Sequence, residues 1–276
     1  MSAILIPVIS VSVIGLICAV MLVTASKLMA VPSDERFEQI RDCLPGANCG
    51  SCGYAGCDGY AHALADGEEK HVNLCIPGAD AVANQIADTL GVETQDVVEM
   101  VAYVACGGDS TCTTRKYNYH GIRSCVAADM LYSGSGTCTN ACLGCGDCAA
   151  VCPNGAICIE DGLARVIPSL CMGCGLCARV CPNHLIHVVP DTVRTIVRCS
   201  NTDKGAVTRK ACSDGCIGCK KCVRECPEDA ISVQNNLAVI DYRKCIGCGH
   251  CAEICTTGSI RNVNLANNTR FSQDAL

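Results

Sequence analysis

The sequence predicts an α+β chain: a single N-terminal transmembrane helix, a small helical domain, and two tandem copies of a compact module of short strands and helices. Three observations predict it. No charged residue occurs from Ala3 to Ser26. Eight cysteines between Cys142 and Cys181 recur in register 74 residues further on, which marks one folded unit present twice. The 276 residues hold 29 cysteines but only two Phe and no Trp, so little aromatic material is available for an ordinary core. The expected boundaries are 1–30 for the anchor, 31–92 for the helical domain, 93–137 for a connecting segment, and 138–190 and 191–276 for the two modules.

The apolar run is long enough for its role. At 1.5 Å per residue it spans about 36 Å, enough to cross a hydrocarbon core with some tilt. A cleaved signal peptide would carry a basic leader, and none is present. Lys27 and Arg36 follow the run, so the positive-inside tendency keeps the rest of the chain on the cytoplasmic side of the cell membrane.

Beyond it, VPSDERFEQIRD sets Phe37, Ile40 and Leu44 at helical spacing behind Pro32. The expected short amphipathic helix packs on lipid or on an ordinary core. The stretch LPGANCGSCGYAGC then places Cys49, Cys52 and Cys57 as C-x2-C-x4-C, with Cys75 following 18 residues later. Gly50, Gly53 and Gly56 let such a loop turn tightly and bring its amides close to sulfur. A helix over Asp58–Ala65, ended by Gly67, returns the chain to Cys75. A second helix runs over Ala79–Leu90 and is capped by Gly91. Cys43 stands outside this pattern as a free thiol.

The modules carry the most specific signal. CLGCGDCAAVCP holds Cys142, Cys145, Cys148 and Cys152 at C-x2-C-x2-C-x3-C-P, the half-site of a bacterial ferredoxin. Cys171, Cys174, Cys177 and Cys181 repeat it. Three thiolates of each half hold one 4Fe–4S cube, and the fourth ligates the other cube. One cube thus takes Cys142, Cys145, Cys148 and Cys181, the other Cys171, Cys174, Cys177 and Cys152. Zinc is the alternative for paired C-x-x-C, but a closed zinc site has no use for the third cysteine and the proline. The second copy offers Cys216, Cys219, Cys222 and Cys226, then Cys245, Cys248, Cys251 and Cys255, with Thr256 in the place of the proline. Cys158 falls on Ser232 and reads as a packed thiol.

Between helical domain and modules, MVAYVACGG reads as a buried strand or helix end leading to Cys106. Cys106, Cys112, Cys125 and Cys138 form the expected set for a sixth cluster, leaving Cys18, Cys43, Cys158, Cys199 and Cys212 spare. Two alternatives stand. In the same register Cys125 maps onto Cys199 and Cys138 onto Cys212, so the site draws on Cys199 and Cys212, or the thiols pack without iron.

LPGANCGSCGYAGC, then CIPG, then ferredoxin-like motifs behind one anchor resemble the B subunit of the Rnf electron-transport complex, in its long, anaerobe-type version. The resemblance covers nearly the whole chain. It implies 4Fe–4S clusters on Cys49, Cys52, Cys57 and Cys75 and on the ferredoxin-type cysteines. It also implies soluble reduced ferredoxin as donor, and other subunits of a membrane complex that reduces NAD while translocating Na+ or H+ as partners. No dinucleotide fingerprint, Walker loop or activated nucleophile appears, and the six histidines are scattered. The chain thus reads as an electron-transfer subunit of an oxidoreductase, with no substrate-transforming site of its own and no nucleic acid partner. Input subunits of other ferredoxin-dependent complexes, and an iron–sulfur sensor, are the competing readings. A sensor gains nothing from so many regularly repeated ligands. Finally, Arg194, Arg198, Lys204, Arg209, Lys210, Lys220, Lys221 and Arg224 face only Asp203 and Asp214 in one stretch, a charge excess that the first copy lacks. It suits an acidic ferredoxin, or is an ordinary solvated face.

Overall fold

The computed structural model describes residues 12–24, 35–94 and 96–266. Residues 12–24 are helical, and their apolar side chains are exposed. The two ends of the expected anchor lie outside the described residues, and among those described no helix is long and apolar enough to cross a membrane.

The helical domain consists of α1 (Glu35–Cys43), α2 (Cys57–Ala65) and α3 (Ala79–Leu90). Ile40, Tyr60 and Ile86, one from each helix, are fully buried in one shared core. Phe37 of α1 stacks on His62 of α2 with ring centroids 4.0 Å apart. The amphipathic face of α1 is therefore part of an ordinary core. Each such side chain contributes roughly 1.5–3 kcal/mol by leaving water. Gly91 closes α3 in the left-handed conformation, its N–H donating to the Ala87 carbonyl.

Each module holds two antiparallel strand pairs and two one-turn helices at its cluster loops, with a further helix at Cys125–Asp129 in the first and at Gly205–Ala211 in the second. In the first, β1 (Met100–Val104) pairs with β4 (Ile186–Pro190), and β2 (Ile157–Glu160) forms a hairpin with β3 (Leu163–Val166). In the second, β5 (Thr195–Val197) pairs with β8 (Ile260–Asn262), and β6 (Ile231–Gln234) with β7 (Leu237–Ile240). Both hairpins close on two residues of positive φ, Asp161 and Gly162 in one and Asn235 and Asn236 in the other. Such turns match the right-handed twist of the strands. The cluster loops press against these turns. A Cβ on Gly144 would overlap the Gly162 carbonyl, and one on Gly218 would lie 2.8 Å from that of Asn236.

Two expectations change here. The first module does not begin at 138, because its outer strand is β1, from the connecting segment expected to hold a buried strand or helix end. Without β1, the apolar face and ladder groups of β4 would be left open. The pairing also resets the repeat. Val104 lies opposite Ile186, and Val197 opposite Ile260. Cys106 and Cys199 each stand two residues beyond these strands, so Cys106, not Cys125, is the counterpart of Cys199. The first copy carries nineteen additional residues between strand and cluster loop, and these hold Cys125. Val101, Tyr103, Val189, Val193, Ile196 and Leu265, drawn from both modules, form one apolar core. The Tyr103 and Tyr242 hydroxyls meet across it at 3.3 Å.

Candidate metal centres

Cys49, Cys57 and Cys75 are buried and Cys52 half-buried around the loop that precedes α2. Asn48 organises the loop, its side-chain oxygen accepting the Cys57 amide at 2.9 Å. At Gly56 a Cβ would lie 3.0 Å from that same oxygen, and φ is 119°, so glycine is required there. The Tyr60 hydroxyl donates to the His71 carbonyl at 2.7 Å and so holds the stretch of chain that delivers Cys75. Burial, opposed by the Gly78 amide and helped by Cys57, Cys49 and Cys52, pushes the Cys75 thiol up to about 11.

The ferredoxin-type cysteines gather in the crossed manner. Cys148 is pushed up to about 12 by burial and then by Cys142, Cys125 and Cys181. Cys177 rises to about 11 through burial and then Cys171, Cys174 and Cys152. In the second module Cys222 is raised to about 11 by burial, then by Cys216, Cys219, Cys255 and Cys251. Cys251 rises to about 11 by burial, then by Cys245, Cys248 and Cys226. The fourth cysteine of each half-site thus stands with the other half.

Backbone amides are aimed at these sulfurs. Ala156, Leu185 and Ala230 donate to Cys152, Cys181 and Cys226 at 3.3, 3.4 and 3.4 Å, always from four residues on. Ala164 donates to Cys142 at 3.5 Å and Ala102 to Cys171 at 3.4 Å. A neutral thiol gains little from such donors, whereas a thiolate gains much. Four desolvated thiolates repel one another unless a cationic core lies among them. Among the described residues no three Cys, His, Asp or Glu side chains converge as a single ion needs. A cube, which spreads its thiolates over four corners, fits the donor set.

Cys255 differs from its counterparts. Burial raises its thiol, but hydrogen bonds from the Ser259 hydroxyl, the Ile260 amide and Thr257 outweigh it and bring the thiol below its usual range. The Ser259 oxygen lies 3.3 Å from the sulfur.

Cys106, Cys112, Cys125 and Cys138 do not meet as one set. Cys106 and Cys138 stand together, whereas Cys125 lies in contact with Cys145. The cause is the Asp147 carboxylate, which accepts the Ser124 hydroxyl and the Cys125 amide, both at 2.9 Å, and so docks the inserted residues on the first cluster loop. Cys112 is half-buried beside Thr111 and near Cys212, its carbonyl accepting the Ser213 amide at 3.0 Å. The spare Cys43 bonds the Gln39 carbonyl at 3.2 Å, and Cys158 sits half-buried on the first hairpin. The helical domain reaches the first module through Arg179, whose guanidinium donates to the Cys49 carbonyl, and Cys49 lies near Cys174. Nothing in the local spacing announces that contact.

Comparison with known proteins agrees with this layout. A model described as a putative Fe-S cluster matches residues 44–77, and a 4Fe-4S dicluster domain matches 215–259. Models of 4Fe-4S binding domains match 142–156 and 164–187. The B subunit of the proton-translocating ferredoxin:NAD(+) oxidoreductase complex of Clostridium ljungdahlii is 44% identical over 91% of this chain and 90% of its own length. The B subunit of the Na(+)-translocating ferredoxin:NAD(+) oxidoreductase complex of Acetobacterium woodii is 41% identical over 94% of this chain and 78% of its own. The B subunit of an ion-translocating oxidoreductase complex of Methanosarcina acetivorans is 42% identical over 90% and 94%. The chain therefore belongs to the family of B subunits of Rnf-type ion-translocating ferredoxin:NAD(+) oxidoreductase complexes.

Proposed function

We propose that this chain is the electron-conducting subunit that accepts electrons from reduced ferredoxin and delivers them to membrane partners that reduce NAD and translocate Na+ or H+. In this reading the chain lies on the cytoplasmic side of the cell membrane, held by the run Ala3–Ser26. Five cubes are held by Cys49, Cys52, Cys57 and Cys75 and by the sixteen ferredoxin-type cysteines, and when bound they supply one-electron chemistry. The chain's own residues set spacing and polarity. The observation that carries the reading is the hydrogen bond from the Arg179 guanidinium to the Cys49 carbonyl, which joins the helical domain to the first module near Cys174. Thiol sets placed in series suit a conductor, whereas a sensor needs one exposed labile set.

Ferredoxin docks on the second module in this reading. Lys204, Arg209, Lys210, Lys220, Lys221 and Arg224 are exposed there, and so is Cys219 between them. Arg198 is half-buried and faces inward, so it is not part of that surface. Complementary charge raises the encounter rate with an acidic partner, and salt removes the advantage. The test is stopped-flow reduction of the reconstituted full chain by reduced ferredoxin. Reversing Lys220, Lys221 and Arg224 to Glu slows reduction severalfold at low ionic strength, with the gap closing at high salt. An unchanged rate at low salt rejects this docking face, and no reduction of the unaltered chain rejects the function.

A further inference from the structure

The four ferredoxin-type loops are alike in sequence and unlike in what lies over them. The middle cysteine of each half-site in the second module, Cys219 and Cys248, is exposed, whereas Cys145 and Cys174 in the first module are half-buried. Other parts of the same chain account for the difference. Cys174 is faced by the helical domain, through Cys49 and the bond from Arg179 to the Cys49 carbonyl. Cys145 is faced by the residues inserted ahead of its loop, through Cys125.

These inserted residues form a flap pinned at its neck and at its tip. At the neck the Thr113 and Thr137 hydroxyls lie 3.1 Å apart and both donate to the Ala211 carbonyl, at 2.9 and 3.0 Å, so the flap is rooted on the second module. At the tip the Asp147 carboxylate accepts the Ser124 hydroxyl and the Cys125 amide at 2.9 Å, and the Val126 amide at 3.4 Å. It thereby holds the start of the helix Cys125–Asp129 on the cluster loop. Leu143 of that loop lies directly beneath Gly134 of the flap, where a Cβ would overlap its side chain.

The second module shows what the loop looks like without the flap. In the 74-residue register Gly146, Asp147 and Ala150 become Lys220, Lys221 and Arg224. A lysine has no oxygen to accept the start of a helix. One position thus fastens a cover in the first copy and forms part of an open basic face in the second. We propose that the flap of residues 114–136 insulates the first cluster loop from soluble one-electron carriers, with Asp147 as its latch, and so confines their entry to the second module. Electron transfer falls steeply with distance, so a carrier held off by a layer of chain exchanges slowly with the cube behind Cys145. Without the cover, a carrier could tap the conductor midway and bypass the second module. The identity of the carrier rests on the ferredoxin reading above, whereas the latch does not.

The test strips iron from the anaerobically reconstituted full chain with bathophenanthroline disulfonate and follows each cube as the decay of its own EPR component. The cube of Cys142, Cys145, Cys148 and Cys181 outlasts that of Cys216, Cys219, Cys222 and Cys255. Ser124→Ala, which removes one hydrogen bond to the carboxylate, speeds its loss about tenfold, and Asp147→Ala speeds it further, with the other cubes unchanged. Asp147→Asn, which keeps an accepting oxygen, retains most of the protection. Equal lifetimes of the two cubes in the unaltered chain, or an unchanged rate in Asp147→Ala, overturns the proposal. Should Asp147→Ala assemble without that cube, Ser124→Ala decides by the same criterion. A second arm adds Asp147→Lys to the chain carrying Lys220→Glu, Lys221→Glu and Arg224→Glu. Reduction by ferredoxin at low ionic strength then recovers, and no recovery refutes the confinement of carriers. If the triple reversal itself has no effect, the docking face proposed above fails, and the chelator arm still judges the latch.

Discussion

Ser259 gives the clearest handle on how the two modules differ. Its buried hydroxyl donates to the Cys255 sulfur at 3.3 Å and accepts from Thr257 at 3.2 Å. The residue at the same place in the first module is Leu185, which offers its amide to Cys181 but has no hydroxyl. A donor aimed at a cluster sulfur stabilises the reduced, more negative state more than the oxidised one, and so raises the potential. If the two states differ by about 0.5–1.5 kcal/mol in that hydrogen bond, Ser259→Ala lowers the midpoint by about 20–65 mV, since about 1.4 kcal/mol is 59 mV for one electron. The affected cube is the one served by Cys216, Cys219, Cys222 and Cys255. In the variant the Thr257 hydroxyl, 3.8 Å from the Cys255 sulfur, loses Ser259 as acceptor and turns to that sulfur alone. An EPR-monitored redox titration of the reconstituted full chain reads the shift as the displacement of one component, with the others unmoved. A midpoint that stays within about 10 mV, or that rises, refutes the reasoning.

Three further outcomes follow from the same geometry. Cys152→Ala removes the cube of Cys171, Cys174 and Cys177 and leaves that of Cys142, which EPR of the reduced variant distinguishes. Cys145→Ala keeps full iron content while Cys125 is present, because the Cys125 thiol lies against that of Cys145, and the double variant Cys125→Ala/Cys145→Ala loses about four iron. Deleting residues 1–30 yields a soluble brown protein with unchanged cluster spectra, since every thiol set begins beyond it; loss of clusters on truncation would make the apolar run part of the fold.

What was legible in the sequence was local. The spacing Cys142, Cys145, Cys148 encodes a loop that wraps one cube, and Gly144 is needed where that loop meets the hairpin turn. Helices over 79–90 and near 58–65 followed from periodicity and from Gly91 and Gly67. The strand pair β1–β4 was hidden because its partners are separated by the whole module, and no periodicity records a pairing at that distance. Ungapped alignment of the copies then paired Cys125 with Cys199. Only the register opposite Ile186 and Ile260 reveals the inserted residues and gives Cys106 its true counterpart. The Arg179 contact to Cys49 was equally out of reach, since a surface arginine in sequence resembles any other.

The apolar core shared by Val101, Tyr103, Val189, Val193, Ile196 and Leu265 has a mechanical meaning. Carrier proteins that swing a redox arm keep their domains on wet, weakly adhering faces. Here parting the modules would expose that common wall on both, at roughly 1.5–3 kcal/mol for each Val, Ile or Leu side chain that meets water. The shared core and the Tyr103–Tyr242 contact tie the two modules of 100–266 to each other. Any large excursion that brings the chain to successive partners must pivot ahead of Met100, where the helical domain is joined by a short segment and by the grip of Arg179 on a single carbonyl.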